Sequence, residues 1–573
     1  MNALLIMILS FAGYLIMYNL YGRYIGKKIF NLTQGAGVPA VEMEDGVDYV
    51  PTKKEVIFGH HFTSIAGTGP IVGPAVAIIW GWAPALIWVF VGSIFMGAVH
   101  DFGALIISMR NQGKSIADYT AKYVNNRTRF FFFLIVFLEL WIVIAVFGLV
   151  IAIVFSMYPQ SVLPVWCEVV IAVLLGHAVY KQGKSIMTWS IIAVIAMYIT
   201  VAMGIYLPFN MPEMAGIPAT GIWSIILLFY AFIASVLPVT TLLQPRDFIN
   251  SHQLLIAMAL LIAGVFVSAF GSNLEIVAPA VQLTPEKAPP MWPFLFITIA
   301  CGAISGFHSL VSSGTSAKQV RYETDSLFVG YGSMLLEGAL AVLVIISVAA
   351  GIGMGYPTKD GQVLTGVAAW TTHYSSWAAA AGLGSKISAF VNGSANMIAS
   401  LGIPTSLCVA VMGVFVASFA GTTLDTATRI QRYIISELFS NLKLDFLTGK
   451  YTATFLAVAT ALVLAFATGA GGKGALKLWP MFGAVNQTLA GLALIIIAAY
   501  LKTKGGVKWL VAGVPAIAMM VLTIWALILN QTTFGANHNA LLQTVNGISL
   551  ILAVWIFIEG LIKIATVKTD IDL

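Results

Sequence analysis

The sequence predicts an all-α integral membrane protein with about fifteen transmembrane helices. Three observations predict it. Hydrophobic residues make up 59% of the chain and charged residues 9%, whereas soluble domains carry about a quarter charged. Apolar runs without charge recur from end to end, so lipid rather than water is the solvent they suit. Lys and Arg also collect in alternate loops, as the positive-inside rule requires.

The runs fall near 3–22, 64–82, 84–108, 130–157, 164–180, 186–208, 222–243, 254–270, 293–317, 327–352, 398–420, 452–470, 478–500, 509–530 and 543–563. We number them as spans 1 to 15. An odd count puts the termini on opposite sides. With the N-terminus outside, every Lys and Arg except Lys287, Lys359, Lys386, Lys473 and Lys477 falls on the inner side. A missed span would reverse the bias downstream of it, so the alternation checks the count as well as the orientation. The expected location is the inner membrane, with the N-terminus periplasmic or external and the C-terminus cytoplasmic.

The connecting segments carry no soluble domain. Residues 23–63 form a mixed-charge inner loop, and 271–292, with Pro279, Pro285, Pro289 and Pro290, an irregular outer one. Residues 353–397 read as an outer loop with short helices lying on the membrane face. No removable signal peptide is expected. Cys167, Cys301 and Cys408 sit in or beside apolar runs, and their spacing suggests neither a disulfide framework nor a zinc site. The formal charge of +6 comes without a basic run, so it reflects topology and no nucleic-acid partner is expected. Neither a phosphate-binding G-x-x-x-x-G-K-[ST] loop nor H-E-x-x-H nor G-x-S-x-G occurs. ATP-driven transport and enzymatic catalysis are disfavoured, and no catalytic residue, cofactor or metal is expected.

Four stretches carry the functional expectation. Span 2 is crowded by Gly67, Gly69, Pro70, Gly73 and Pro74. Proline removes an N–H and glycine favours unwinding, so the helix is expected to break at mid-membrane and expose backbone dipoles to a substrate. Ala66, Gly67, Thr68, Gly69 and Gly73 are the candidates, with the N–H groups of Ile71, Val72 and Gly73 suited to a carboxylate. Close helix packing through the same glycines is the alternative. Span 7 has Pro238 near its centre, with Ser235, Thr240 and Thr241 around it. Ser235, Pro238 and Thr241 are candidates for a second break, a simple kink the alternative. In span 9, Ser309, Ser312, Ser313 and Ser316 share one helical face, flanked by His308 and Thr315. This stripe could coordinate a cation or pass protons, or only bond between helices. Ionisable groups inside spans are candidates for ion coupling: Asp101 beside His100, Glu139 and Glu337, with His177 near an inner end. His60 and His61, at the inner mouth of span 2, read as a gate or a helix-end anchor.

The segments FGHHFTSIAGTGPIVGP (Phe58–Pro74), AVHDF (Ala98–Phe102) with RNQGKS (Arg110–Ser115), FAGTTLDTATRIQRY (Phe419–Tyr433) and WPMFGAVNQTLAGLAL (Trp479–Leu494) together resemble the carbon starvation protein A family of bacterial inner-membrane transporters. The resemblance runs through nearly the whole chain. It implies stress-linked uptake of pyruvate or of peptides, and kinship with the amino acid–polyamine–organocation superfamily. The fold it implies is leucine-transporter-like, a 5+5 inverted repeat with extra helices. Residues 1–63 would then be the first helix and its loop, 64–208 the first repeat, 209–450 the second, and 451–573 the C-terminal helices. The expected function is a symporter for a small carboxylate or peptide, proton-coupled with sodium as the alternative ion. A channel or a membrane nutrient sensor are the rival classes.

Overall fold

A computed structural model describes residues 2–271, 274–358 and 360–566. Among these, thirteen helical segments are long and apolar enough to cross a membrane. They are span 1 (Ala3–Ile29), span 2 (Lys54–Trp80), span 3 (Trp82–Met109), span 4 (Asn126–Met157), span 5 (Pro159–Lys181), span 6 (Ile186–Tyr206), span 7 (Ala219–Val236), span 8 (Leu243–Gly271), span 10 (Glu323–Met354), span 11 (Thr405–Asn441), span 13 (Trp479–Thr503), span 14 (Leu510–Ala536) and span 15 (Ala540–Thr566). The shorter apolar helix Lys450–Phe466 is span 12. Span 9 is a discontinuous pair, Met291–Thr298 and Gly306–Gly314. Each run read from the sequence therefore has a helical counterpart. The driving force is the need to satisfy every backbone group inside the segment when no water is available.

Burial sorts the spans into layers. The most apolar stretches of spans 2 and 10 are 94% buried, while those of spans 1, 6 and 15 are 28% buried. The outer spans present Leu9, Leu15, Ile195, Ile199 and Ile551 to the surroundings, the faces lipid would cover. The interior is consequently built around spans 2, 4, 9, 10, 11 and 13, and several of the functional candidates lie there.

Two expectations about the helices are corrected. Span 7 is not broken at its centre by Pro238. Its helix ends at Val236, and Pro238 lies in the turn that leads to span 8. Leu237, the residue before the proline, is extended at φ −71° and ψ 151°, as steric conflict with the proline ring requires. The proline thus ends the helix instead of kinking it. In the outer loop, short helices do occur, at Gly366–His373, Trp377–Ala380 and Leu383–Ala399. The last does not lie on the membrane face. It is mostly buried and packs against spans 2, 8, 10 and 11.

The loop before span 2 folds back over the bundle. Val239 N–H donates to Val47 O (3.0 Å), Val50 N–H to Lys318 O (3.1 Å) and Thr52 N–H to Gln319 O (3.0 Å). Arg429 and Arg432 of span 11 donate to Asp48 at 2.7 and 3.0 Å, and Arg429 also reaches the carbonyls of Ala234 and Leu237. This segment ties the ends of spans 7, 9 and 11 together. Burial raises the Asp48 carboxyl, but Arg432 and Arg429 outweigh it and hold the group below its usual range. A depressed carboxylate stabilises the fold above its unfolded value and loses that contribution as pH falls through the folded one. The clamp is therefore fully charged near neutral pH and opens only in acid. Asp48→Asn should release the loop at pH 7. Charge-assisted bonds contribute about 1.5–3 kcal/mol, so limited proteolysis within residues 43–52 should accelerate about tenfold or more.

Candidate functional site

The site begins at the break in span 2. The first half, Lys54–Ala66, stops at Gly67, whose φ of +42° a side chain would resist. The second half restarts at Gly69 with Pro70 in its first turn. The expected break stands, with one change in its donors. Ile71 and Val72 N–H are taken by Thr68 O at 3.2 and 2.9 Å. Thr68 and Gly69 N–H are the ones left without a partner among the described residues. They sit at the positive end of the second half-helix, where an anion is favoured.

The second break lies in span 9, not span 7. The chain unwinds between Thr298 and Gly306, and Gly302 adopts φ +88°. The two breaks touch. A Cβ on Gly69 would lie 2.3 Å from Cys301 Sγ, and one on Gly73 2.8 Å from Thr298 O. These glycines hence serve close packing and the break together. The freed backbone of span 9 is satisfied from span 13: Asn486 Oδ1 accepts from Phe307 N–H (2.9 Å), and Gln487 Nε2 donates to Phe296 O (2.8 Å).

Between the breaks is a cavity of about 40 Å³. Gly67, Thr68, Gly69, Cys301, Ser305 and Thr423 supply its polar edge, and Val72, Val143, Phe147, Leu383, Trp479 and Phe482 its apolar wall. Ala66 and Gly73 are buried just beside it. Ser235, Pro238 and Thr241 are not among its lining residues. Ser235 is buried with its hydroxyl unpartnered, and the other two lie in the turn after span 7.

Three of the expected coupling residues, from three spans, meet beside the second break. His308 Nδ1 lies 2.9 Å from Asp101 Oδ2. His308 Nε2 lies 3.5 Å from Glu337 Oε2. Glu337 Oε1 accepts from Gly302 N–H at 2.8 Å, joining the acid–base cluster to the unwound backbone. His100 Nδ1 holds the other Asp101 oxygen at 2.7 Å. All four side chains are fully buried. Cys301, His308 and Glu337 each offer a ligand atom within 4.8 Å of the others, donor types that a soft cation could use.

The remaining candidates stand apart. Glu139 is buried with neither carboxylate oxygen partnered. The hydroxyl stripe is mostly spent on its own helix: Ser309 donates to Gly306 O (2.7 Å), Ser313 to Ser309 O (2.7 Å) and Thr315 to Val311 O (3.1 Å). Ser312 alone of these has a buried hydroxyl without a partner. His60 and His61 are wholly buried rather than helix-end anchors: His60 meets Asp247 at 2.6 Å and His61 meets Ser316 Oγ at 2.8 Å.

Cys301, Thr423, Asn486 and Gln487 were missed as site residues, although three of them stand in the motifs quoted above. Asn and Gln inside an apolar span are costly without partners, and that was the available signal.

Paired discontinuous spans around an enclosed interior site define a multi-pass membrane transporter. The chain belongs to the carbon starvation protein CstA family, whose model matches residues 2–526. The peptide transporter CstA of Campylobacter jejuni is 31% identical, with 91% of this chain and 80% of that one aligned. The pyruvate/proton symporter BtsT of Escherichia coli is 31% identical, over 92% of this chain and 81% of that one. Among solved structures, MhsT in complex with L-phenylalanine aligns with a TM-score of 0.45 at 11% identity, covering 89% of this chain and 99% of that one.

Proposed function

We propose that this protein imports a small monocarboxylate such as pyruvate by proton-coupled alternating access across the bacterial inner membrane. The observation that carries the reading is the buried His308–Asp101–Glu337 cluster bonded through Gly302 to the break that borders the cavity. A titrating group is what proton coupling needs, and this one touches the element that must move. The unpartnered Thr68 and Gly69 N–H groups suit a carboxylate, and the apolar wall suits a short carbon skeleton.

A small cavity held between two helix breaks favours alternating access over an open pore. The peptide reading rests on the names of several relatives; uptake measured with both cargoes decides between them.

With the second break in span 9 instead of span 7, we infer two inverted halves at residues 54–271 and 291–503 in place of the expected 64–208 and 209–450. Their broken first spans begin on opposite sides. Span 7 packs on spans 4, 11 and 12, and span 8 on spans 2 and 11. Spans 5 and 6 pack on each other, an inserted hairpin within the first half.

Proteoliposomes offered pyruvate, amino acids and di- and tripeptides test the proposal under separate proton and sodium gradients. Pyruvate should accumulate with an inward proton gradient and no sodium. Accumulation of peptides alone, or a strict sodium requirement, would overturn it. Orientation has its own check: an N-terminal tag should read external and a C-terminal reporter cytoplasmic. Both on one side would refute the topology.

A further inference from the structure

A second charged cluster is buried on the other side of span 2, and the transport reading does not use it. Arg246 of span 8 donates to Tyr230 of span 7 (2.5 Å) and to Asp425 of span 11. Its other nitrogens lie 3.8 Å from Glu168 of span 5 and 3.8 Å from its neighbour Asp247. Ser418 of span 11 donates to Glu168 Oε2 at 2.5 Å, and His60 of span 2 holds Asp247 Oδ2 at 2.6 Å. Arg429, one turn beyond Asp425, is turned away onto Asp48. The three carboxyl side chains and His60 are at most 1% exposed.

Charge counting decides what such a group can be. Three carboxylates face one guanidinium and one imidazole. With all three ionised the cluster is negative whatever the state of His60, and an uncompensated charge at that depth is expensive. A neutral cluster must hold protons besides the one on Arg246. The geometry offers places for them: Glu168 Oε1, Asp247 Oδ1 and Asp425 Oδ1 are buried and make no hydrogen bond. A cavity of about 20 Å³ borders Glu168, Tyr230, Arg246 and Ser418, enough for about one water. A metal cation is excluded because the guanidinium already occupies the centre of the oxygen set.

We propose that Glu168, Asp247 and Asp425, arranged around Arg246, form a second proton-binding site separate from the His308 cluster. Binding converts one carboxylate to the neutral acid, and release returns the proton to water. His60 meets the second cluster through Asp247, and the next residue, His61, about 100° around the helix, bonds Ser316 Oγ just past span 9. The first half of span 2 therefore touches both the second site and the end of span 9. Any displacement of that half-helix must break or keep the His60–Asp247 contact according to the charge on Asp247. As a coupling device this rests on the proton-driven reading above; as a proton site it does not.

Infrared titration of the reconstituted protein with acid and base alone separates the two. The wild type should show a protonated-carboxyl band whose intensity changes with pH. Glu168→Gln, Asp247→Asn or Asp425→Asn should remove or shift it in protein that still elutes as a single species. No titrating band in the wild type, or a band unchanged in all three variants, overturns the proposal whatever the protein carries. In proteoliposomes the ratio of proton-driven accumulation to substrate exchange should fall at least tenfold in the variant that removes the band. An unchanged ratio overturns the coupling role. A wild type that accumulates nothing under a proton gradient overturns the transport reading instead, leaving the infrared result to decide the site.

Discussion

Gly69→Leu should abolish uptake while the protein still inserts and purifies. Gly69 is the closest point between the two breaks: its absent Cβ would sit 2.3 Å from Cys301 Sγ and 2.5 Å from Cys301 Cβ. The residue does not need a left-handed backbone, unlike Gly67 at φ +42°, so the penalty comes from the contact and not from local conformation. Overpacking costs about 1–3 kcal/mol per added group, which is about tenfold or more in any equilibrium that brings the breaks together. Gly69→Ala should consequently reduce uptake by about tenfold, with Leu far worse. The origin can be proved by rescue. Cys301→Gly removes both clashing atoms, so Gly69→Ala with Cys301→Gly should recover part of the activity that Gly69→Ala loses. Cys301→Ala should not, because it keeps the Cβ. Full transport by Gly69→Leu would show that the two breaks need not touch.

That contact was half legible in the sequence. Gly-Pro pairs announced the break in span 2, because proline and glycine act locally and their effect needs no partner. The break in span 9 was hidden. It is carried by Gly302 and Gly306 in an apolar run whose one proline, Pro293, stands at its first residue, well before the break, where glycine reads equally as a packing residue. Pro238 misled in the opposite direction, since a proline near the middle of an apolar run can kink a helix or, through the residue before it, end it. The hydropathy and charge alternation carried the span count well, for they average over many residues. Tertiary pairings do not average. Asp101 and His308 stand 207 positions apart, and nothing local says that they meet. From the sequence, Arg246 counts only as an inner-side charge, and Asp425 falls beyond the apolar run near 398–420. The fold buries both, because Asp425 lies inside a helix that runs on to Asn441, well past where the apolar pattern stops. A polar stretch can continue a buried helix when every charge in it finds a partner, and partners are a property of the fold.

The cleanest consequence of those pairings concerns Glu337. Its two oxygens do different things: Oε1 accepts from Gly302 N–H, while Oε2 faces His308 Nε2. Glu337→Gln can keep the first contact and must lose the charge opposite His308. The break in span 9 should therefore survive, and the proton dependence should not. Accumulation against a gradient should fall by about a hundredfold, the scale of about 2.7 kcal/mol, while exchange of labelled for unlabelled substrate persists at a substantial fraction of wild type. Glu337→Ala is the informative contrast. It also strands Gly302 N–H in the interior, at a cost of about 1–3 kcal/mol, so folded yield and exchange should drop together. His308→Ala should match Glu337→Gln in lost accumulation, and the double variant should fall little further, because residues acting as one unit are not additive. Additive losses would mean two independent roles. If Glu337→Gln and His308→Ala both accumulate substrate as the wild type does, the cluster only holds spans 3, 9 and 10 together, and the driving proton must be sought at the carboxyls around Arg246 or at Glu139.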